Sequence, residues 1–260
     1  MPGSLKDIET IIIGAGPAGL MAASALPGSA LVLEKKPAAG LKLLISGSGQ
    51  CNLTHSGTNE ELLTHFGGKS RFLKPSVYSF PNSAVSAFFE SKNVHLVTRE
   101  DGKVFPASFR SRDILNCLLN AVKSAGNRID YKSAVKLIKK SDKGFLVETD
   151  SASYRCSSLI IATGGKSWPD TGSSGDGYTF AESLGHPVVK PEPALAPVKI
   201  KNHLLAGLSG ISFQDISISL WRGGKKTDDF TGDMLITHNG LSGPVILDNS
   251  RYLQAGDIIK

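Results

Sequence analysis

Short, wholly apolar runs alternate with glycine-rich turns along this chain, a rhythm that predicts an α/β protein. Ile11 to Ile13 form an uninterrupted β-branched run, as in a parallel strand buried on both faces. Leu20 to Leu26 continue as helix formers, and Ala30 to Leu33 make a second apolar strand. Ala84 to Ser91 predicts a short helix leading into a strand at Val94 to Thr98, and Asp101-Gly102 signals a hairpin turn before Lys103–Phe105. From Arg112 to Ala125, Ile114, Leu115, Leu118, Leu119 and Val122 recur at helical spacing, with Gly126 placed as a C-terminal cap. Short strands follow at Ile129–Tyr131, Ala134–Lys139 and Phe145–Thr149. A further apolar strand, Leu159 to Ala162, runs into Thr163-Gly164-Gly165, and helical character resumes from Tyr178 to Leu184.

Two stretches lack such a rhythm. Residues 37–57 are too rich in glycine and serine for a regular element, and residues 58–75 are polar and helical in part. Pro191, Pro193 and Pro197 predict an extended crossing between domains, which places a first domain at 1–192 and a second at 193–260. In the second, Ile211 to Leu220 alternates apolar and polar residues as a half-exposed antiparallel strand does. Gly223-Gly224 turns the chain and Asp233 to Thr237 returns, so this part reads as β-rich.

The 260 residues leave ample length for a hydrophobic core, and 40% hydrophobic with 20% charged residues is ordinary for a globular protein. No apolar run approaches a membrane span, and the first residues lack a signal-peptide pattern. Met1 to Ser4 match a cloning scar as well as a native start. Cys51, Cys117 and Cys156 are odd in number, far apart and free of any CxxC, which argues against a disulfide framework or a metal site and fits a reducing cytoplasm. The net charge of +6 raises nucleic acid as a partner. The doublets Lys35-Lys36, Lys139-Lys140 and Lys225-Lys226 are dispersed and have no interleaved aromatics, so a solvated basic surface is the reading taken, with neither nucleic acid nor membrane as partner.

Chemistry concentrates at the first strand–helix turn. Gly14, Gly16 and Gly19 stand in GxGxxG spacing, with Ala15, Pro17 and Ala18 between them. The first glycine permits the tight turn, the second lets a pyrophosphate approach the backbone, and the third lets the helix pack against the sheet. Glu34 closes the second strand about 20 residues on, where an acid can accept ribose hydroxyls, and Lys35 follows it. Ser46, Gly47 and Gly49 can bring further backbone N–H groups toward phosphate or flavin oxygens, with Lys42 adding charge. A strand at Val135 and a close backbone approach at Thr163-Gly164 complete four segments that suit one dinucleotide. An antiparallel insertion between the glycine unit and the IIATGG strand separates flavin-binding folds from simple nicotinamide dehydrogenases.

GAGPAG, GLKLLISGSGQCNLTH, KVFPAS, IIATGGKSWPDTGSSGDGY and LITHNGLSGPVIL together resemble a bacterial and archaeal flavoprotein family known as YhiN-like, BaiN-like or aminoacetone-oxidase-family proteins, over about Thr10 to Leu247. The resemblance implies FAD held by a Rossmann-like fold of glutathione-reductase type with a β-rich inserted domain, and an FAD-dependent oxidoreductase of a small-molecule substrate. It places the pyrophosphate at Ala15 and Gly16 and the ribose at Glu34. Lys42, Ser46, Gly47 and Asn52 fall on the flavin side, and Val135, Thr163 and Gly164 on the adenine side. Leu41, Ser48 and Gln50 depart from the family's usual arginine, glycine and arginine, and Pro27 leaves the first helix about one turn short. The family continues past Lys260, so the resemblance implies an unfinished β-rich domain, with weak FAD retention or completion by a partner chain or a second copy.

Two residues are candidates for catalysis, and no catalytic residue is assigned. Cys51 lies in the expected flavin loop without a partner cysteine, which favours a structural role. His238, in THNGLSGP, has the chemistry for proton transfer. No second GxGxxG exists, so NAD(P)H would visit as a transient reductant. The alternatives are a nicotinamide-dependent dehydrogenase using the single βαβ unit, and a non-catalytic flavin-binding or interaction module.

Overall fold

The computed structural model describes residues 5–260; Met1 to Ser4, and any reading of them, lie outside the described residues. Two compact units divide the chain between Val188 and Val189.

In the first unit, β1 (Lys6–Ile13) ends in four buried residues and passes through Gly14–Gly16 into α1 (Pro17–Ser24). Pro17 sits where a helix has N–H groups without intrahelical partners, so its missing donor costs nothing. Sequence periodicity carries this helix to Leu26, but it stops at Ser24. Asn127 explains the early stop: its Nδ2 donates to Ala23 O at 2.6 Å and to Leu26 O, while its Oδ1 accepts the Ala30 N–H at 2.8 Å. One buried amide thus satisfies the helix end and the start of β2 (Ala30–Leu33), whose four residues are all buried.

Residues 37–57, expected to be irregular, contain α2 (Leu41–Ile45), a 3-10 turn at Ser46–Gly49 and β3 (Thr54–His55). Gly40, at φ +66°, turns the chain into α2, and Leu43 buries beneath it. Next come α3 (Asn59–Thr64), started by a reciprocal Thr58–Glu61 capping box, then α4 (Ser70–Ser79) and α5 (Asn82–Glu90). The expected hairpin is present as β4 (Leu96–Thr98) and β5 (Lys103–Pro106), joined to β3 in a three-stranded sheet. The amphipathic helix is α6 (Ser111–Ser124), followed by β6 (Arg128–Asp130), β7 (Val135–Ser141), β8 (Gly144–Thr149), β9 (Ser153–Ile161) and α7 (Asp176–Ser183).

The main sheet runs β6-β2-β1-β9-β8-β7; its first four strands are parallel, and β8 and β7 add antiparallel. Both faces of β1 are covered, which is why its sequence is an unbroken apolar run. Ile12 packs with Leu20, Ile114, Leu115 and Leu118, while Ile11 and Ile13 pack with Leu33, Val147 and Phe180. The apolar strand read as Leu159–Ala162 is the end of the longer β9, which pairs β1 and β8 together.

The second unit is a five-stranded antiparallel sheet, β10-β13-β12-β11-β14, formed by β10 (Val198–Lys199), β11 (Ser212–Arg222), β12 (Lys225–Thr237), β13 (Gly240–Ser242) and β14 (Ile258–Ile259). Gly223 and Gly224 take positive φ at the β11–β12 turn. The returning strand starts at Lys225 rather than Asp233: the polar run Lys225–Asp229 pairs with Ser219–Arg222, with Thr227 Oγ1 donating to Leu220 O at 3.2 Å, and has no apolar pattern to reveal it. Helix α8 (Pro244–Asn249) packs its Val245 and Ile246 against Ile218, Ile236 and Leu241 of this sheet.

Candidate cofactor-binding site

The carboxyl ends of β1, β2 and β9 open onto a cleft of about 620 Å³ lying within the first unit. Three glycines shape its floor differently. Gly14 has φ +104°, and a Cβ there would lie 2.5 Å from Ala162 O, so the turn and the neighbouring strand touch backbone to backbone. A Cβ on Gly19 would lie 2.0 Å from Gly14 O, so α1 packs onto its own loop. Around a Cβ on Gly16 there is nothing within 4 Å: this glycine faces open space at the start of α1.

Glu34, buried at the end of β2, ties the loop down. Its Oε2 accepts the Ala15 N–H at 2.7 Å and its Oε1 accepts the Lys36 N–H at 2.8 Å. Each oxygen keeps a second lone pair. Beside it, Ser133 bonds its N–H to Glu34 O at 2.9 Å and brings Val135 to the cleft wall. Thr163, Gly164, Ser173 and Gly177 form the facing wall; a Cβ on Gly177 would meet Thr163 Oγ1 at 2.3 Å.

The charges at the rim differ in what holds them. Lys35 Nζ lies 2.6 Å from Asp176 Oδ2 and also donates to Ser174, joining β2 to the first turn of α7. Burial pushes the Asp176 carboxyl up, but the bonds from Lys35 and Ser174 outweigh it and leave it below the usual carboxylate range. Lys42 Nζ reaches the Ser167 hydroxyl at 3.2 Å and pairs with no carboxylate among the described residues. Burial lowers its pKa.

Of the residues singled out from sequence, Gly14, Gly16, Pro17, Ala18, Glu34, Lys35, Lys42, Val135, Thr163 and Gly164 line the cleft. Five do not. Ala15 is fully buried with its N–H spent on Glu34, and Gly19 lies beneath the loop. Ser46 caps α2 through Leu43 O at 2.7 Å, and Gly47 packs on the Asn52 backbone, where a Cβ would come within 2.8 Å of Asn52 N. The loop thus folds on itself, away from the cleft lining. Cys51 is buried among the core residues under the sheet, and burial pushes its thiol up, so it stays protonated. His238 is exposed in the β12–β13 turn. The cleft residues missed by sequence include Ser133, Thr171 to Ser173, Asp176, Gly177, Tyr178 and Phe180. The glycine-rich run TGSSGDGY was the signal for those from Thr171 to Tyr178; Ser133 and Phe180 lie outside it.

No cluster of metal-ligating side chains occurs among the described residues, and none of their helices is long and apolar enough to cross a membrane. All three cysteines are buried and free.

A glycine turn against a parallel sheet, an acid at the end of the second strand and an antiparallel excursion before the next parallel strand define a Rossmann-like fold of the glutathione-reductase type. The family description "HI0933-like protein Rossmann domain" matches residues 8–243, and the chain belongs to that family. It is 30% identical to the 3-dehydro-bile acid delta(4,6)-reductase of Clostridium scindens over 250 residues, covering 94% of this chain and 60% of that one. It is also 30% identical to the ribosomal RNA dihydrouridine synthase of Haemophilus influenzae over 262 residues, covering 97% and 63%. The chain therefore spans about 60% of the length of these relatives. Among solved structures, an open-form flavocytochrome c3 fumarate reductase superposes with a TM-score of 0.58 at 18% identity, over 82% of this chain and 48% of that one.

Proposed function

We propose that the first unit binds FAD in this cleft and that the protein is an FAD-dependent oxidoreductase, the second unit being the start of a substrate domain. The observation that carries the reading is the open space over Gly16 at the start of α1, flanked by Glu34 and Lys42. A pyrophosphate fits there because Gly16 presents no side chain and the first turn of α1 has N–H groups without intrahelical partners. Glu34 offers its remaining lone pairs to ribose hydroxyls, and Lys42, which no carboxylate among the described residues neutralises, offers its ammonium to phosphate or a reduced flavin. When bound, FAD supplies hydride transfer through its N5, while the protein supplies position and electrostatics.

The two named activities of the relatives share one chemistry, saturation of a C=C bond conjugated to a carbonyl. That bond class is the substrate proposed here, with NAD(P)H as a visiting reductant because the chain has no second glycine fingerprint. Reconstitution with FAD followed by anaerobic stopped-flow mixing with NADH or NADPH, then with an enone or a uracil nucleotide, tests this. Flavin absorbance that bleaches with NAD(P)H and returns with a conjugated acceptor supports it. A protein that takes up NAD(P)H but no flavin is a nicotinamide dehydrogenase instead, and flavin uptake without turnover points to a binding module.

A further inference from the structure

Helix α4 and its flanks carry a surface with no part in the cofactor cleft. From Leu62 to Phe89 the chain contains no Asp or Glu, but it holds Lys69, Arg71 and Lys74. No residue of α4 is buried. Leu73 and Val77 form its half-buried side, whereas Arg71, Lys74 and Tyr78, at i, i+3 and i+7, share an exposed face. Phe72 is 83% exposed on the flank of that face, and Phe66 and Phe80 are exposed beyond either end of the helix. Lys74 Nζ lies 5.4 Å from the Tyr78 ring centroid, so cation and aromatic are held side by side. Among nearby carboxylates, Glu60 accepts the Tyr78 hydroxyl and Glu61 is taken up by the Thr58 N–H.

A single exposed phenylalanine is ordinary, but here Phe72, Tyr78, Phe66 and Phe80 are all exposed on or beside one short helix that carries Arg71 and Lys74. A helix lying in a lipid surface separates its apolar face from its charged one. Here the apolar side is turned inward, and aromatics and cations interleave on the outer face. That mixture matches a strand of nucleotides, whose phosphates need cations and whose bases need flat apolar surfaces at short intervals. We propose that the α4 face binds single-stranded nucleic acid, with phosphates at Lys69, Arg71 and Lys74 and bases stacked on Phe72 and Tyr78. The lysine doublets elsewhere have no interleaved aromatics; these cations escape notice in the sequence because they are single residues brought together by helical spacing.

Fluorescence anisotropy with labelled single strands of about 12 nucleotides, one RNA and one DNA of matching sequence, tests this over a range of salt. Binding of either strand is expected, and the tighter arm identifies the source. Phe72→Ala should weaken it about 5- to 150-fold, as loss of one stacked base does. Arg71→Ala with Lys74→Ala should reduce the slope of log K against log salt by about 1.4, as expected for two phosphates no longer neutralised. Urea midpoints and FAD uptake, measured on the same samples, should be unchanged; this separates the surface from both folding and the cleft, so either proposal can fail alone. The proposal is overturned if the variants bind like the parent chain. It is equally overturned if the parent ignores both strands while binding vesicles of phosphatidylglycerol, or if Phe72→Ala removes only concentration-dependent self-association.

Discussion

The Glu34 carboxylate holds the Ala15 N–H at 2.7 Å across 19 residues, so the acid at the end of β2 anchors the glycine loop before any ligand arrives. Both partners are buried, and without the carboxylate the Ala15 donor has no acceptor. Glu34→Ala should therefore cost about 1–3 kcal/mol of stability in protein stripped of flavin. Glu34→Gln keeps an acceptor for one of the two N–H groups and should lose less. Urea unfolding of the apo forms checks this ordering. Equal stability of all three would mean that the acid serves ribose alone.

The glycines of the loop separate folding from binding. Gly14→Ala places a Cβ 2.5 Å from Ala162 O at φ +104°, so β1 and β9 must move apart and the protein should express poorly or unfold early. Gly16→Ala meets nothing within 4 Å among the described residues and has an ordinary φ of −79°. Its methyl enters the space assigned to pyrophosphate. The expected outcome is a normal melting temperature with FAD affinity reduced at least about tenfold, a change of about 1.4 kcal/mol. Calorimetry and a flavin titration on the two variants read these effects apart.

What could be read from sequence follows the range of the interactions. The β1–α1–β2 unit was legible because Ile11–Ile13, the glycine spacing and Glu34 are all local signals. Helix α2 was not: five residues held by the left-handed Gly40 and the burial of Leu43 leave no periodicity to detect. The far wall of the cleft was legible only as a glycine-rich run, because Asp176 meets Lys35 across 141 residues. Ser46, Gly47 and Asn52 show the converse. A loop that folds on its own backbone has the same glycine and serine composition as one that cradles a phosphate.

Ser48 marks strain in that loop. It is exposed, with φ +56° and ψ +37°, a conformation that costs a residue with a Cβ about 1–2 kcal/mol. Glycine is the residue that the family resemblance leads one to expect there. Ser48→Gly should remove the strain at an entropic cost of about 0.5–1 kcal/mol, leaving a net gain of up to about 1.5 kcal/mol. A rise in melting temperature checks it, and Ser48→Ala, which keeps the Cβ, should give no such rise.

Lys42 connects the cleft to pH. Its ammonium is desolvated by burial, so its folded pKa lies below the ordinary lysine value of about 10.4, while the unfolded chain titrates at that value. Below the folded pKa both states carry the proton and the burial penalty is present in full. As pH rises from the folded to the unfolded value the penalty disappears, so the flavin-free protein should gain slightly in stability over that alkaline window. Flavin affinity should move the other way, because the same deprotonation removes the cation proposed to face phosphate or reduced flavin. Lys42→Met should abolish both trends, leaving a pH-independent affinity near the alkaline limit of the parent. Flavin titrations and urea midpoints from pH 7 upward measure the two together. Parallel rather than opposite trends would show that Lys42 is not the group that ties charge in the cleft to cofactor binding.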